Sequence, residues 1–373
     1  MLIGIDGRLW SQTGVGRYIR NLTSNLSRID KKNKYVIFVR SDDLENVQKA
    51  VKNKNWKIIV SDIKWHSLSE QTTFARELSG YNFDLVHFPY FSIPVFYRKK
   101  YVITLHDLIA KKIKTGKASR LPYPLYLLKR QSYLFIIKNA LKTSVKIIVP
   151  SNAVRNDILS SYKNIHPDKV IVTYEGAFEN KNLKATEDLI KEKYFLRVGN
   201  FYPHKNVENL LTAFKNFVGR KKYKDIKLVL VGKKDYFFKN IWEQVEKLNL
   251  SQNIIFINNP NDKDLFSLYK NAIATVIPSF MEGFSLTAVE AMSVGSPVVC
   301  SDIEVHREIC KNAAMFFDPF NIQEIEKKME MVIEDGVKRA KLIENGFKRV
   351  SVFSWDKMAR QTIEIYESSI SLR

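Results

Sequence analysis

Short apolar runs alternate with amphipathic segments along most of this 373-residue chain. In the first half the apolar runs are LIGID, YVIFV, WKIIV, DLVHF, YVITL and VKIIVP, with helical or polar segments between them. Runs of this length are typical of parallel strands buried on both faces, and amphipathic segments are typical of helices that cover a sheet. The pattern therefore predicts an α/β fold with parallel sheets.

The same alternation restarts near residue 194, after the polar stretch ENKNLKATED. It predicts strands over YFLRVG, KLVLVG, NIIFI, IATVIP and PVVCS, and helices over NVENLLTAFKNFV, NIWEQVEKLNL, DKDLFSLYKNA and IQEIEKKMEMVIED. Two Rossmann-like domains in series are predicted, residues 1–173 and 174–353. The last amphipathic helix, 354–373, suits either domain and is expected to pack back on the first.

The composition is that of a folded globular protein, with 45% hydrophobic and 27% charged residues. No stretch approaches the roughly 18 apolar residues of a spanning helix, and Asp6 and Arg8 lie where a signal peptide would be apolar. Cys300 and Cys310 suit small buried side chains in a reducing compartment better than a disulfide framework or a metal site. A cytoplasmic protein is expected.

The net charge of +21 is unevenly distributed. Residues 1–175 hold 30 basic and 13 acidic residues, a net +17, whereas 176–373 hold 30 and 26, a net +4. Between Arg98 and Lys146, thirteen basic residues and one acid, Asp107, are interleaved with aliphatic and aromatic residues. This segment favours an anionic partner, and a nucleic acid, an anionic membrane surface and a phosphorylated substrate are all candidates.

A glycine-containing loop, SQTGVGRYIRNL, joins the first strand to an amphipathic helix. Such a loop presents free backbone N–H groups and the positive end of the helix dipole to a phosphate. The Gly-Lys-Ser/Thr of a Walker A loop and the third glycine of a dinucleotide fingerprint are missing. Two interpretations of Gly14, Val15 and Gly16 therefore remain open: contact with phosphate, or a tight turn that needs glycine anyway.

Polar residues follow two of the predicted strands. His106 and Asp107 come after YVITL, and Lys205 lies in the loop after YFLRVG. Ligands of open α/β sheets bind beyond the carboxyl ends of strands, and a lysine there can reach a diphosphate. The alternatives are a helix N-cap by Asp107 beside a half-buried histidine, and a solvated lysine near a helix start.

Asp262 and Asp264 form the D-x-D arrangement that some transferases use to hold a divalent metal. Both acids immediately precede an amphipathic run, so N-capping and a favourable charge on the helix dipole explain them. The chain has no His/Cys cluster with ligand spacing and no Gly-x-Ser-x-Gly elbow. Neither a metal ion nor a cofactor is predicted.

The segment SFMEGFSLTAVEAMSVGSPVV carries two glutamates eight positions apart in an otherwise apolar stretch. A strand is expected to end before it, and a helix is expected to begin near Phe284 or Ser285. Glu282 would then lie in the loop at the carboxyl end of the strand, with Glu290 inside the helix.

Two explanations of Glu290 are open. Thr287 could cap the helix, with Glu290 folding back on it in a capping box. Because the helix is apolar nearly all round, the carboxylate would otherwise be buried and would need a hydrogen-bonding partner, for which the hydroxyl pair of a ribose is suitable.

Together these pieces resemble the family 4 glycosyltransferases, retaining enzymes with the GT-B fold of two facing Rossmann-like domains and a cleft between them. The stretch from Glu282 is similar to the family signature E-G-F-x-L-x-x-x-E-A-M-x-x-G-x-P-V. GIDGRLWSQTGVGRYIRNL resembles the start of a subgroup that adds sugars to surface polysaccharides and lipid-linked oligosaccharides. HDL and PHKN match further landmarks, so the resemblance covers nearly the whole chain.

The resemblance implies a site for a nucleotide-diphosphate sugar. Glu290 would bind the ribose hydroxyls and Glu282 the hydroxyls of the donor sugar, while His106 would lie beside that sugar. Lys205 would neutralise the diphosphate together with the loop of Gly14, Val15 and Gly16. The backbone of a further segment would contact the same sugar: Gly283, Phe284, Ser285 and Leu286.

One departure concerns the cations. Where the family usually has an arginine near this lysine, the chain has Asn200 and His204. The diphosphate would therefore need a second positive charge besides Lys205, and Arg17 and Lys233 are candidates.

The resemblance implies metal-independent, retaining transfer of a hexose from a donor, of which GDP-mannose is the best match, with UDP- or dTDP-hexoses behind it. The acceptor would be a glycan or a lipid-linked molecule. The basic segment 111–146 is then expected to attach peripherally to the anionic inner face of the cell membrane, where a lipid carrier would deliver the acceptor. A soluble sugar-phosphate acceptor is the competing use of this charge.

Two rival functions belong to other classes. A GT-B-like epimerase or hydrolase of nucleotide sugars would consume the donor without an acceptor. A nucleic-acid-binding protein would also explain the basic balance, but no stacking motif, helix-turn-helix or zinc-finger spacing supports it.

Overall fold

The computed structural model describes residues 1–112, 122–178 and 189–371. The chain divides into two compact units, Met1–Glu175 with Ser354–Arg373, and Gly176–Phe353. Residues 113–121 of the basic segment, and the polar stretch 179–188 near the start of the second predicted domain, lie outside the described residues.

The first unit is built on a parallel sheet. Its strands are β1 (Leu2–Asp6), β2 (Lys34–Val39), β3 (Trp56–Val60), β4 (Leu85–Phe88), β5 (Tyr101–Thr104), β6 (Lys146–Val149) and β7 (Val170–Val172). They lie in the order β3-β2-β1-β4-β5-β6-β7. The chain therefore adds β2 and β3 on one side of β1 and then β4 to β7 on the other side. The point of reversal, between β1 and β4, is where α/β sheets bind ligands at their carboxyl edge.

Among the described residues of the first unit, these strands are connected by the α-helices α1 (Gly14–Ile29), α2 (Leu44–Ala50), α3 (Ala75–Ser79), α4 (Ile109–Lys112), α5 (Tyr123–Thr143) and α6 (Asn152–Ser161). In α1 the apolar face predicted from the sequence is buried, including Tyr18, Ile19, Leu22 and Leu26. Amphipathic helices of this kind seal the faces of a parallel sheet.

A buried ion cluster holds the carboxyl end of β1. The guanidinium of Arg8 lies 2.7 Å from Asp6 Oδ2 and 2.8 Å from Glu70 Oε1, and it stacks 3.6 Å above the ring of Phe74. Glu70 and Phe74 bound a π-helix, Glu70–Phe74. Arg8 is thus neutralised by two carboxylates, as a buried charge requires.

The second unit repeats the architecture with strands β8 (Tyr194–Val198), β9 (Lys227–Gly232), β10 (Ile254–Asn258), β11 (Ala274–Ile277), β12 (Val298–Ser301) and β13 (Ala314–Phe317). The order β10-β9-β8-β11-β12-β13 is again parallel, and the direction reverses between β8 and β11. Its helices are α7 (Val207–Val218), α8 (Tyr236–Lys247), α9 (Asp262–Asn271), α10 (Leu286–Ser293), α11 (Glu304–Cys310), α12 (Ile322–Glu334) and α13 (Gly336–Val350).

Three helices of this unit differ from the prediction. Helix α8 begins four residues earlier than the predicted Asn240, because Asp235 Oδ1 accepts hydrogen bonds from the backbone N–H groups of Phe237 and Phe238. Helices α11 and α13 were not predicted at all, and neither was strand β13. Cys300 and Cys310 are both buried and free.

The C-terminal helix α14 (Trp355–Ser371) belongs to the first unit. Arg28 of α1 pairs with Asp356 at 2.5 Å, and the hydroxyl of Tyr366 lies 2.6 Å from His87 Nδ1 in β4. These contacts hold α14 against α1 and the sheet. Among the residues that the structure describes, no helix combines the length and the apolar character that crossing a bilayer requires.

Candidate functional site

Two loops of the second unit meet at the carboxyl ends of β8 and β11. The Phe280 N–H donates to the His204 carbonyl at 2.8 Å. The side-chain amide of Asn206 donates to the carbonyls of Pro278 and Pro319, both at 2.9 Å. Asn206 adopts a left-handed conformation with φ 54° at the start of α7, which asparagine tolerates better than most residues. These bonds fix the loops at the point where the sheet reverses.

The same loops bring Lys205 and Glu282 together. Lys205 Nζ donates to both carboxylate oxygens of Glu282 at 2.8 Å, and Ser279 Oγ donates to Oε1 at 2.7 Å. Burial by itself would raise the pKa of Glu282, but the charge of Lys205 and these hydrogen bonds hold it at about 2. At neutral pH the site therefore contains an ionised carboxylate that can still accept hydrogen bonds.

Two histidines beside this pair are uncharged. Burial and the charge of Lys205 lower the pKa of His204 to about 4. Burial also lowers the pKa of His306, whose Nδ1 lies 2.8 Å from the Ser301 carbonyl. The positive charge next to Glu282 at neutral pH therefore does not come from either imidazole.

Helix α10 begins at Leu286, just after the predicted start at Phe284 or Ser285, because Ser285 is left-handed with φ 74° and precedes the helix. Thr287 is thus inside the helix, and the capping-box explanation of Glu290 is wrong. Glu290 is 4% exposed, and its Oε2 accepts a hydrogen bond from the hydroxyl of Tyr269 in α9 at 3.0 Å. A tertiary contact holds this carboxylate in place.

Arg197 is a charged residue of the same edge that the sequence analysis missed. It lies in β8 with 2% exposure, donates to the carbonyls of Gly199 and Asn200, and has Cζ 5.0 Å from the ring centre of Phe201. Burial lowers its pKa to about 10, while Glu282 acts in the opposite direction. The signal was present in the sequence, since YFLRVG contains an arginine where a buried strand should be apolar.

In the first unit, the two glycines of the glycine loop have different surroundings. A Cβ on Gly16 would collide with the carbonyl of Trp10 and lie 2.9 Å from that of Leu9, whereas a Cβ on Gly14 would meet nothing within 4 Å. Both belong to the first turn of α1, together with the half-buried Val15. The need for glycine is therefore steric at Gly16 and unexplained by packing at Gly14.

His106 lies beyond the carboxyl end of β5, as predicted. Its Nε2 donates to the Pro89 carbonyl at 3.0 Å, and its Nδ1 is 3.4 Å from Glu175 Oε1. The ring of Tyr18 meets the imidazole edge-on at 4.9 Å. Asp107 Oδ1 accepts from the Ile109 N–H at 2.8 Å, so this aspartate caps the start of α4.

Asp262 and Asp264 lie in the first turn of α9, but the cap is Asn261. Asn261 Oδ1 accepts from the N–H groups of Lys263 and Asp264 at 2.9 and 3.0 Å. The negative charges of the two acids therefore lie near the positive end of the helix dipole, which is a favourable arrangement. Within residues 1–112, 122–178 and 189–371, no three His, Cys, Asp or Glu side chains are grouped so that they could hold a metal ion.

The predicted residues thus fall into two groups, one in each unit. Those in the second unit, which the loops and α10 bring together, are Lys205, Glu282, Gly283, Phe284, Ser285, Leu286 and Glu290. Those in the first unit, at the ends of β1 and β5, are Gly14, Val15, Gly16 and His106.

Models of two protein families match the chain in succession. The model described as Glycosyltransferase Family 4 covers residues 12–177, and that described as Glycosyl transferases group 1 covers residues 179–349. The two matches together extend over most of the sequence and meet at the boundary between the units.

Curated relatives match part of their own length. The O-antigen chain mannosyltransferase RfbU of Salmonella typhimurium is 30% identical over 228 residues, 60% of this chain and 62% of that protein. The O-antigen chain mannosyltransferase B of Escherichia coli is 32% identical over 176 residues, 47% of this chain and 45% of that protein. The matched part of the chain therefore spans less than two thirds of either relative.

A solved structure matches almost the whole chain. Anabaena Alr3699/HepE, in complex with UDP-glucose, has a TM-score of 0.78 at 17% identity and covers 99% of this chain and 100% of its own. At this identity the likeness shows the fold. The predicted fold class, GT-B with two Rossmann-like domains, is confirmed.

Proposed function

This chain belongs to the family 4 glycosyltransferases, and from that premise we propose that it transfers a hexose from a nucleotide-diphosphate sugar to a glycan or lipid-linked acceptor of a surface polysaccharide. The observation that carries the proposal is the Lys205–Glu282 pair at the reversal point of the second sheet, next to the helix that holds Glu290. The O-antigen chain mannosyltransferases among its relatives support mannose as the sugar, and GDP-mannose is the donor that we propose.

The donor would be bound by carboxylates at its hydroxyl groups and by positively charged groups at its diphosphate. Glu290 offers a buried carboxylate, already oriented by Tyr269, to the two O–H donors of a ribose. Lys205 and the N-terminus of α7 would face the diphosphate. Glu282 would accept from hydroxyls of the sugar while it remains paired with Lys205, because a carboxylate has lone pairs for several donors. In the first unit, Gly14 and His106 would complete the donor contacts.

Transfer with retention needs no protein nucleophile in this proposal. The bond between the anomeric carbon and the diphosphate oxygen breaks, and the acceptor hydroxyl bonds to that carbon on the same face. Its proton passes to the departing diphosphate, so the products are the glycoside and the nucleoside diphosphate. Lys205 stabilises the negative charge that develops on the leaving group, a role that makes a metal ion unnecessary.

The acceptor would approach from a membrane surface. Helix α5 exposes five large hydrophobic side chains, and its buried residues are confined to its C-terminal part, Ile137, Ala140 and Leu141. The exposed residues are Tyr123, Leu125, Leu127, Leu128 and Phe135. Apolar side chains next to a strong excess of lysine and arginine are typical of segments that lie on anionic lipid. We propose that this helix attaches the protein to the cytoplasmic face of the membrane.

The donor site can be tested with a thermal-shift panel of GDP, UDP, ADP and dTDP. The wild type is compared with Glu290→Gln, which keeps the side-chain volume, and with Tyr269→Phe, which removes only the hydroxyl that contacts Glu290. We expect one nucleotide to raise the melting temperature of the wild type, to raise that of Tyr269→Phe less because Glu290 has lost the hydroxyl that orients it, and to have little effect on Glu290→Gln. The nucleotide that stabilises identifies the base of the donor.

Two results would contradict the proposal. If no nucleotide stabilises the folded wild type, the donor site is wrong. If Glu290→Gln loses stability but responds to the nucleotide as the wild type does, the role of Glu290 is structural. Incubation with the matching nucleotide sugar distinguishes a transferase from the rival class of enzymes, because a hydrolase or epimerase consumes the donor without an acceptor.

A further inference from the structure

Arg197 carries a positive charge in the interior of the second unit. Its neighbours in β8 are hydrophobic, and a buried guanidinium is costly unless an anion compensates it. Arg197 bonds to the neutral carbonyls of Gly199 and Asn200, and among the described residues it forms no ion pair. The protein thus maintains a buried charge that its own carboxylates do not neutralise directly.

The other buried arginine of the described residues is Arg8, whose charge is neutralised by carboxylates, as is usual for a buried arginine. Arg8 is as deeply buried as Arg197 but pairs with Asp6 and Glu70 at 2.7 and 2.8 Å. The difference between the two arginines indicates that the environment of Arg197 is completed by something other than a side chain.

Arg197 and the loops after β8 and β11 together carry a net positive charge. Arg197 and Lys205 contribute two positive charges and Glu282 one negative charge. His204 and His306 are neutral, since burial lowers the pKa of each. Glu290 is not part of this count, because it lies in α10, where it accepts from Tyr269. One positive charge therefore remains on β8 and these loops, at the sheet edge where α/β folds bind ligands, and it favours an anionic ligand.

The turn after β8 is built around the guanidinium. Gly199 has φ 131°, a conformation that favours glycine, and a Cβ there would lie 3.7 Å from Arg197 Nη2. A Cβ on Gly232, at the end of β9, would lie 2.5 Å from the Gly199 carbonyl oxygen. Two glycines therefore allow this carbonyl to be held in contact with Arg197.

We propose that Arg197 is the second cation of the donor site, and that it stabilises a bound nucleoside diphosphate from beneath the loop 199–205. This inference rests on the proposed function. It accounts for the second positive charge of the donor site, which the family usually supplies with an arginine where this chain has Asn200. Arg197 is a positioning residue: it binds the carbonyls of Gly199 and Asn200, which offsets their negative ends, and it adds its own charge to that of Lys205.

The experiment measures how strongly affinity depends on the charge of the ligand. Isothermal titration calorimetry compares a nucleoside diphosphate, the corresponding monophosphate and the uncharged nucleoside, the base being the one that binds the wild type. The variants are Arg197→Gln, which removes the charge but keeps an amide donor, and Arg197→Lys, which keeps the charge.

A matched control is available in the same unit. Arg349 donates to the carbonyls of Ile309 and Glu308 and has Cζ 4.8 Å from the ring of Phe353. Arg349→Gln therefore removes one positive charge and the same kinds of contact from a place other than the carboxyl ends of β8 and β11.

We expect Arg197→Gln to weaken binding of the diphosphate on the order of tenfold, which corresponds to the loss of one charge interaction of moderate strength. The monophosphate should be affected less, and the nucleoside hardly at all. Arg197→Lys should keep the wild-type preference for the diphosphate over the nucleoside, and Arg349→Gln should bind all three ligands as the wild type does.

An equal loss for all three ligands in Arg197→Gln would mean a structural role and would overturn the inference, as would unchanged binding of the diphosphate. If Arg197→Gln is unfolded by circular dichroism, Arg197→Lys decides, because loss of its preference for the diphosphate would contradict a role of the charge. A wild type that bound none of the four diphosphates would overturn the donor site itself, a result distinct from any failure of Arg197.

Discussion

At the scale of single residues, the ion pair of Lys205 and Glu282 has two tasks in the proposed reaction. The pair keeps Glu282 ionised far below neutral pH, and it leaves the lysine within reach of a second anion. A point charge on a flexible stem suits both tasks, because the ammonium group can donate three hydrogen bonds at once.

We expect Lys205→Ala to lower kcat about 100- to 1000-fold, the usual effect of removing one group that stabilises the transition state. Affinity for the nucleoside diphosphate should fall much less. Steady-state kinetics with the donor sugar, and titration with the product nucleotide, measure the two effects. Lys205→Arg serves as the control that keeps the charge, and equal losses of kcat and nucleotide affinity in Lys205→Ala would contradict a role in leaving-group stabilisation.

The sequence was informative about residues that lie in loops and uninformative about Arg197. Glu282 and Lys205 were found because they follow predicted strands, where α/β sheets bind ligands. Arg197 lies inside a strand, and its contacts with the Gly199 and Asn200 carbonyls depend on how the chain turns after β8. A pattern of apolar residues cannot show that turn.

At the scale of elements, the two glycines at the start of α1 allow the effect of packing to be measured separately from the effect of ligand binding. Gly16→Ala should cost about 1–3 kcal/mol of stability, because its Cβ would be forced against the Trp10 carbonyl. Gly14→Ala should leave stability unchanged or raise it by up to about 1 kcal/mol, since alanine is favoured in a helix and nothing is in its way. Chemical denaturation measures both.

Turnover should rank the two glycine variants in the opposite order from their stability. If the backbone of Gly14 approaches the diphosphate, Gly14→Ala reduces turnover although it is stable. A Gly14→Ala protein with wild-type turnover would remove this loop from the donor site. The pair is matched, since the same methyl group is added two positions apart in one helical turn.

Helix α5 supports a prediction about membrane attachment. We expect the protein to float with vesicles containing phosphatidylglycerol at about 0.1 M salt and to be released at about 1 M, where the Debye length falls to about 3 Å. Leu128→Asp with Phe135→Asp should abolish most of the binding, because both side chains are more than half exposed on α5.

Val337→Asp is the control for that experiment, since Val337 is 84% exposed in the other unit. No binding to anionic vesicles at low salt would count against attachment through α5. Equal binding to vesicles of phosphatidylcholine alone would show that the lysine and arginine excess is not involved.

Element types were easier to predict than element boundaries. All the predicted strands are present because continuous apolar runs leave a buried parallel strand as the simplest structure. The start of α8 was misplaced because it is set by one capping side chain, Asp235, rather than by the apolar pattern. Helix α13 was missed since most of its residues are exposed and its apolar stripe is narrow.

At the scale of the whole molecule, histidines with lowered pKa values link stability to pH. Burial lowers the pKa of the fully buried His87 to about 3 and that of the half-buried His204 to about 4, and it lowers the pKa of the fully buried His306. Each is neutral in the folded protein and takes up a proton on unfolding below pH 6.5, the ordinary value for histidine. Stability should therefore be constant above that pH and fall below it.

The expected loss is up to about 1.4 kcal/mol per pH unit for each such histidine between pH 6.5 and its folded pKa. Melting temperatures at several pH values from 7.5 to 5 measure it. His87→Gln should make the decline shallower, whereas His166→Gln should not, because His166 is exposed. A melting temperature that is flat over this range would contradict the prediction.

The sequence by itself determined the class of fold and the residues that could do chemistry, because apolar periodicity and strand ends are local properties of the chain. Only the tertiary structure decided what those residues contact. Glu290 is held by Tyr269, Lys205 by Glu282, and α14 by Arg28 and His87 of the first unit. These partners are far apart in sequence, and a hydrogen bond between them exists only after the sheets have assembled.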